Sequence, residues 1–201
     1  PDPVAFAALS RCLAPYPNAY PVQAAVDVAA GTATLHRAAR FADDALAATV
    51  SSTLMAGKRD SDGEHDVTVR VLSLPDLLTT LLAGDWPADL STAGPPHPPG
   101  RLALLKMDVE GAELALLPAL HAADLLRPVA CTLVETHQRK FPARRKAFLK
   151  MRRQIGALYP AQKVNLDWIC PGGAGPTVRP CDGLPALHTR RAPRVRLPPR
   201  G

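Results

Sequence analysis

The sequence predicts an α/β domain with a mainly parallel sheet and helices on both faces. Three observations predict it. Strand-like and helix-like stretches alternate along residues 1–169. Residues 67–72, VTVRVL, put Val67, Val69 and Val71 on one face and Thr68 and Arg70 on the other, the period of a strand. Residues 102–117, LALLKMDVEGAELALL, join a continuous apolar run to a helical pattern with no loop long enough to reverse the chain.

The elements follow in order. Residues 4–13 have apolar side chains at 4, 5, 6, 9 and 13, a helical spacing that stops before Pro15 and Pro17. Residues 20–28 and 32–37 read as two strands around a turn at 27–31, with Gly31 at its end. Residues 39–66 are small and polar, which predicts loop or short helix. After the strand at 67–72, Ser73 is placed as a helix N-cap, with Pro75 and Asp76 in the first turn of a helix over 74–82. Residues 83–100 contain Pro87, Pro95, Pro96, Pro98 and Pro99 and predict an irregular insertion. The apolar run 102–107, broken only by Lys106, predicts a strand covered on both faces. A helix over 110–121, a buried strand over 128–135, a basic amphipathic helix over 141–158 and a last strand over 164–169 complete the domain. In the basic helix Phe148, Met151 and Ile155 share a face with Phe141 nearby, so it is expected to pack on the sheet and turn its charges to water. Residues 170–201 are rich in Pro, Gly and Arg and are expected to form a disordered tail.

Composition bounds what such a domain can be. The 201 residues suit one domain with a tail, and the apolar fraction of 47% suffices for a core. Only nine residues are aromatic, so the core must come mainly from Leu, Val and Ala. The net charge of +6 hides a division: residues 1–136 carry nine basic and sixteen acidic side chains, residues 137–201 fifteen basic and two acidic. Such a division predicts a solvated basic helix and tail, with a surface for an anionic partner at 139–153 as the alternative. Nucleic-acid binding is disfavoured, because no aromatic residues interleave the basic ones and no known motif is present. No apolar run approaches the roughly 18 residues of a membrane span, and the first residues lack the pattern of a signal peptide. The four cysteines show no metal-ligand spacing, and no metal-ligating residues are assigned. Cys131, inside an apolar run, reads as a buried free thiol; a Cys170–Cys181 disulfide is compatible with the spacing but not required by it.

Ligands of parallel α/β sheets bind beyond the carboxyl ends of the strands. That rule selects Val26 and Asp27, Asp108 to Glu110, and Glu135 to His137. Asp108, Glu110 and Glu113 are three carboxylates within six residues at a strand-to-helix junction, where Gly111 permits close backbone approach. Acids there also suit the helix dipole, a purely structural role. Glu135, Thr136 and His137 end the next strand and should lie beside Asp108, with His137 able to take a proton near neutral pH.

The stretch LLKMDVEGAELALL resembles the signature of the FkbM-type methyltransferases. Other pieces fall in that family's order: PDPVAFAAL, PVQAAVDVAAGTATLH, SSTL at 51–54, VRVLSLPDLL, PVACTLVETH and VNLDWI. The likeness spans about residues 1–169. It implies a Rossmann-like class I methyltransferase sheet, S-adenosyl-L-methionine as cofactor, and methyl transfer to a hydroxyl of a small molecule or a glycan. It also implies that Ala25, Val26 and Asp27 approach the adenine, that Asp2 lies near the ribose, and that Asp108 faces the reacting methyl. Asp108 or His137 is then the nominated base, with Glu110 and Glu135 orienting them. Lys106 is given no role, and Trp168 is expected to pack beside the last strand. One departure is large: the glycine-rich D/E-x-G-x-x-x-G that cradles the methionine end is absent from the sequence. The first strand or strands of the sheet are therefore expected to be missing, the chain to be a piece of a longer product, and cofactor binding to be weak. The opposing expectation is a non-catalytic remnant that works as an interaction module through its basic C-terminal region.

Overall fold

The structure is a computed structural model that describes residues 1–49, 52–58, 63–87, 90 and 98–167. Its elements run α1 (Pro3–Leu13), β1 (Ala25–Asp27), β2 (Gly31–Leu35), a 3₁₀ turn at Ala39–Ala42, α2 (Ala45–Ala48), β3 (Val67–Ser73), α3 (Leu74–Ala83), β4 (Leu102–Met107), α4 (Glu113–Ala122), β5 (Val129–Val134), a 3₁₀ turn at Pro142–Arg144, α5 (Arg145–Leu158) and β6 (Val164–Asn165). The class is mixed α/β, as the alternation predicts.

The strands form two three-stranded sheets rather than one. In the first, β3 lies at the centre with β1 parallel on one side and β2 antiparallel on the other. In the second, β5 is the centre and both β4 and β6 run parallel to it. Val69 and Val71 are buried while Thr68 and Arg70 face outward, the alternation read from VTVRVL. Ser73 caps α3 by accepting from the Asp76 amide at 3.2 Å, and Gly84 closes that helix with a φ of 89°, which glycine reaches without steric cost.

Four expectations are corrected. β4 is not covered on both faces: Ala103, Leu104 and Lys106 are exposed, and among the described residues β4 pairs only with β5. The helix after it begins at Glu113 instead of Glu110, because Glu110 and Gly111 take positive φ values of 48° and 117° and hold the chain out of the right-handed helix. Cys131 is buried but disulfide-bonded, not a free thiol. The first strand is also shorter than predicted, three residues against nine, since residues 20–24 add no ladder. Trp168, Ile169 and the tail from 170 lie outside the described residues.

The main core joins α3, α4 and α5 to the second sheet. Leu116, Leu117 and Leu120 of α4 are fully buried, facing Phe148, Met151 and Ile155 of α5. The outer side of α5 carries Arg145, Lys146, Lys150 and Arg153 in solvent, as the amphipathic pattern predicts. Arg152 differs from these neighbours. Its guanidinium donates to the Thr136 hydroxyl, to the Leu166 carbonyl at 2.7 Å and to the Asp167 carboxylate, tying the ends of β5 and β6 together.

Candidate functional site at the ends of β4 and β5

β4 and β5 run parallel and in register, Met107 opposite Val134, so the residues after them emerge side by side. The Glu135 amide donates to the Met107 carbonyl at 2.9 Å and continues the ladder one step further. Asp108, Glu110, Glu135 and His137 are thereby brought together, as the order of strands predicts.

His137 is the centre of the cluster. Its side chain is 1% exposed. The buried Glu113 accepts from the His137 amide at 2.7 Å and faces its Nδ1 at 3.0 Å, and also accepts from the Gly111 amide at 2.8 Å. A carboxylate is acceptor only, so Nδ1 carries the proton and Nε2 turns to the opposite side. There Nε2 lies 3.6 Å from a carboxylate oxygen of each of Asp108, Glu110 and Glu135. Among the described residues it makes no hydrogen bond.

Glu110 is held by residues that sequence reasoning did not select. Lys58 donates to one carboxylate oxygen at 2.9 Å and Lys140 to the other at 2.6 Å. Burial pushes the Glu110 carboxyl upward, but these two ammonium groups do most to outweigh it and hold the carboxyl below its ordinary range. The Glu110 backbone is fixed as well, for its carbonyl accepts from the buried Thr53 hydroxyl. Gly111 has no alternative in this turn. A Cβ there would stand 2.9 Å from the Phe141 ring, on a backbone that L-residues rarely adopt.

A cavity of about 220 Å³ opens beside the cluster. Ala24, Ala25 and Val26 from β1, Leu35, Ser52 to Leu54, and Asp108 to Glu110 line it, with Pro1 at one side. Two of the residues expected at the cofactor thus share one cavity with two of those expected in catalysis. Asp27 does not line it; its carboxylate accepts from the adjacent Val28 amide. Asp2 is 2% exposed, caps α1 at the Val4 amide and accepts from Arg37 Nε at 2.7 Å. Its carboxylate therefore already serves two structural bonds. A larger cavity of about 640 Å³, lined by Ser73, Asp76, Asp85 and Trp86, contains none of the expected site residues.

The strand ends thus gather acids and a histidine beside a cleft in an α/β domain, and the class of that domain comes from comparison with protein families. The Methyltransferase FkbM domain matches residues 1–160, and the chain belongs to that family. No curated protein and no solved structure matches it. Among the described residues no helix is long and apolar enough to cross a membrane.

Proposed function

We propose that the protein transfers a methyl group from S-adenosyl-L-methionine to a hydroxyl of a small molecule or glycan, in the cleft between β1 and β4. The observation that carries this reading is the convergence of Ala25 and Val26 with Asp108 and Glu110 on one cavity. Val26, Leu35 and Leu54 offer apolar surface suited to a nucleoside, and the carboxylates opposite suit a sulfonium charge. At about 220 Å³ the cavity is below the roughly 300–1,000 Å³ of small-molecule sites and receives part of such a cofactor. When bound, the cofactor supplies an electrophilic methyl group.

The chain's own residues supply position and a proton acceptor. Asp108 is the better placed base, because its carboxylate is 36% exposed and an acceptor hydroxyl can reach it, whereas His137 is enclosed. His137, oriented by Glu113, stands behind Asp108 with Nε2 3.6 Å from its carboxylate, and Glu110 and Glu135 flank it. The test is formation of S-adenosylhomocysteine by the full chain against a panel of hydroxylated acceptors. Asp108→Asn and His137→Ala are each expected to lower turnover roughly tenfold or more. Unchanged turnover in both variants overturns the assignment.

A second reading is favoured by the outer face of α5, where Arg145, Lys146, Lys150 and Arg153 form one exposed basic surface. That face suits docking of an anionic partner, independent of any methyl transfer. Binding to a polyanion that survives neutralisation of these four residues would exclude it.

A further inference from the structure

The geometry points to a divalent-cation site formed by Asp108, Glu110 and His137, with Glu135 at its margin. One ligand atom from each of the first three lies within 4.8 Å of the others. Acidic clusters are common without an ion, and the distinguishing feature here is the imidazole. His137 Nε2 is buried, makes no hydrogen bond among the described residues, and points between three carboxylates at 3.6 Å each. A nitrogen-to-oxygen hydrogen bond closes to about 2.7–3.2 Å, so these contacts are too long to be hydrogen bonds. Ligand atoms around one cation, each about 2.0–2.2 Å from it, stand roughly 3.0–3.4 Å apart. The nitrogen-to-oxygen separations of 3.6 Å exceed that by a few tenths of an ångström, and the ligand atoms of Asp108 and Glu110 lie within 4.8 Å of each other, so side-chain rotations must draw the set together.

The surroundings match a metal-binding imidazole in a second respect. Glu113 fixes the proton on Nδ1 and leaves Nε2 as the free donor, the arrangement in which a carboxylate orients a histidine toward a metal. Among the described residues the Glu135 carboxylate has no partner other than that same nitrogen. Lys106 pairs with the Asp108 oxygen turned away from Nε2, at 3.4 Å, and Glu110 is the more contested member. Lys58 stays on one of its oxygens, while Lys140, 38% exposed, occupies the oxygen that faces Nε2. A cation therefore displaces the Lys140 ammonium. One imidazole with several carboxylates favours Mn²⁺ or Zn²⁺ over Mg²⁺ or Ca²⁺, whose shells are all oxygen.

This inference concerns binding, and it stands or falls apart from methyl transfer. The experiment is calorimetric titration of the chelator-treated full chain with Mn²⁺ and, separately, Zn²⁺. Mn²⁺ paramagnetic resonance reports the ligand field in the same samples. One ion per chain is expected. Affinity should fall roughly tenfold or more in Asp108→Asn and in His137→Gln, and rise in Lys140→Met. His137→Gln is chosen because its amide can keep the bond to Glu113, and the thermal midpoint of each variant shows that it remains folded. No binding at millimolar free ion overturns the site. So does binding that is equal in the parent chain and the folded Asp108→Asn variant, since the ion is then held elsewhere.

Discussion

Glu113 and His137 are joined twice, through the histidine's amide at 2.7 Å and through its ring Nδ1 at 3.0 Å. The two residues sit on different elements, one in the first turn of α4 and the other just past β5. The pair therefore fixes both the ring and the turn that carries it, and it does so inside the core, where no water can replace a lost bond. Glu113→Ala removes all three acceptor contacts of a buried carboxylate. It is expected to cost about 3 kcal/mol in urea unfolding. Glu113→Gln keeps the volume and part of the bonding, and should recover about half of that loss.

The turn before α4 gives a second expectation. Gly111 combines a φ of 117° with a Phe141 ring 2.9 Å from where a Cβ would be. Gly111→Ala should destabilise by about 2–4 kcal/mol through backbone strain and overpacking together. Phe141→Leu in the same chain removes the clash but not the strained φ. The double variant should therefore lose less than the two single losses combined, which unfolding midpoints can read directly.

Acid sensitivity follows from Glu110. Its carboxyl is lowered from 4.5 in the folded chain, despite burial, by Lys140 and Lys58. Between the folded value and 4.5 the unfolded chain binds more protons, so the stability from this group is present above that window and is lost as pH falls through it. Lys140→Met weakens the support and raises the folded value, so less of that stability exists at neutral pH. The variant's unfolding midpoint should show a smaller loss between neutral pH and the acid side of the window than the parent's. Equal pH slopes would show that Lys140 does not hold Glu110.

Much of this arrangement was readable from local pattern. The alternation of Val67, Val69 and Val71 gives the buried face of β3, and Ser73 three residues before Asp76 gives the cap of α3. The parallel order of β4 and β5 places His137 beside Asp108 once both are recognised as strands. What local pattern misses is carried by distant partners. Lys58 and Lys140 reach Glu110 from 52 and 30 residues away, and no periodicity links them. Asp2 shows the same limit, for the motif order that implies a ribose contact gives no sign that Arg37, 35 residues away, also bonds its carboxylate. The positive φ at Glu110 was hidden because acids near a helix start read most simply as first-turn residues.

Arg152 and Arg153 test whether the basic helix is only a solvated face. They are adjacent and identical in chemistry, yet Arg153 is exposed while Arg152 bonds Thr136, the Leu166 carbonyl and Asp167. Bonds from a charged donor to a part-buried hydroxyl and carbonyl are each worth more than a surface ion pair. Arg152→Ala should therefore cost about 2 kcal/mol, because it leaves the Leu166 carbonyl with only the long 3.4 Å bond from the Thr136 hydroxyl. Arg153→Ala should stay within about 0.5 kcal/mol of the parent chain. Thermal unfolding of the two single variants measures the difference. Equal midpoints would place Arg152 with the solvated charges and leave the join between β5 and β6 to the strands alone.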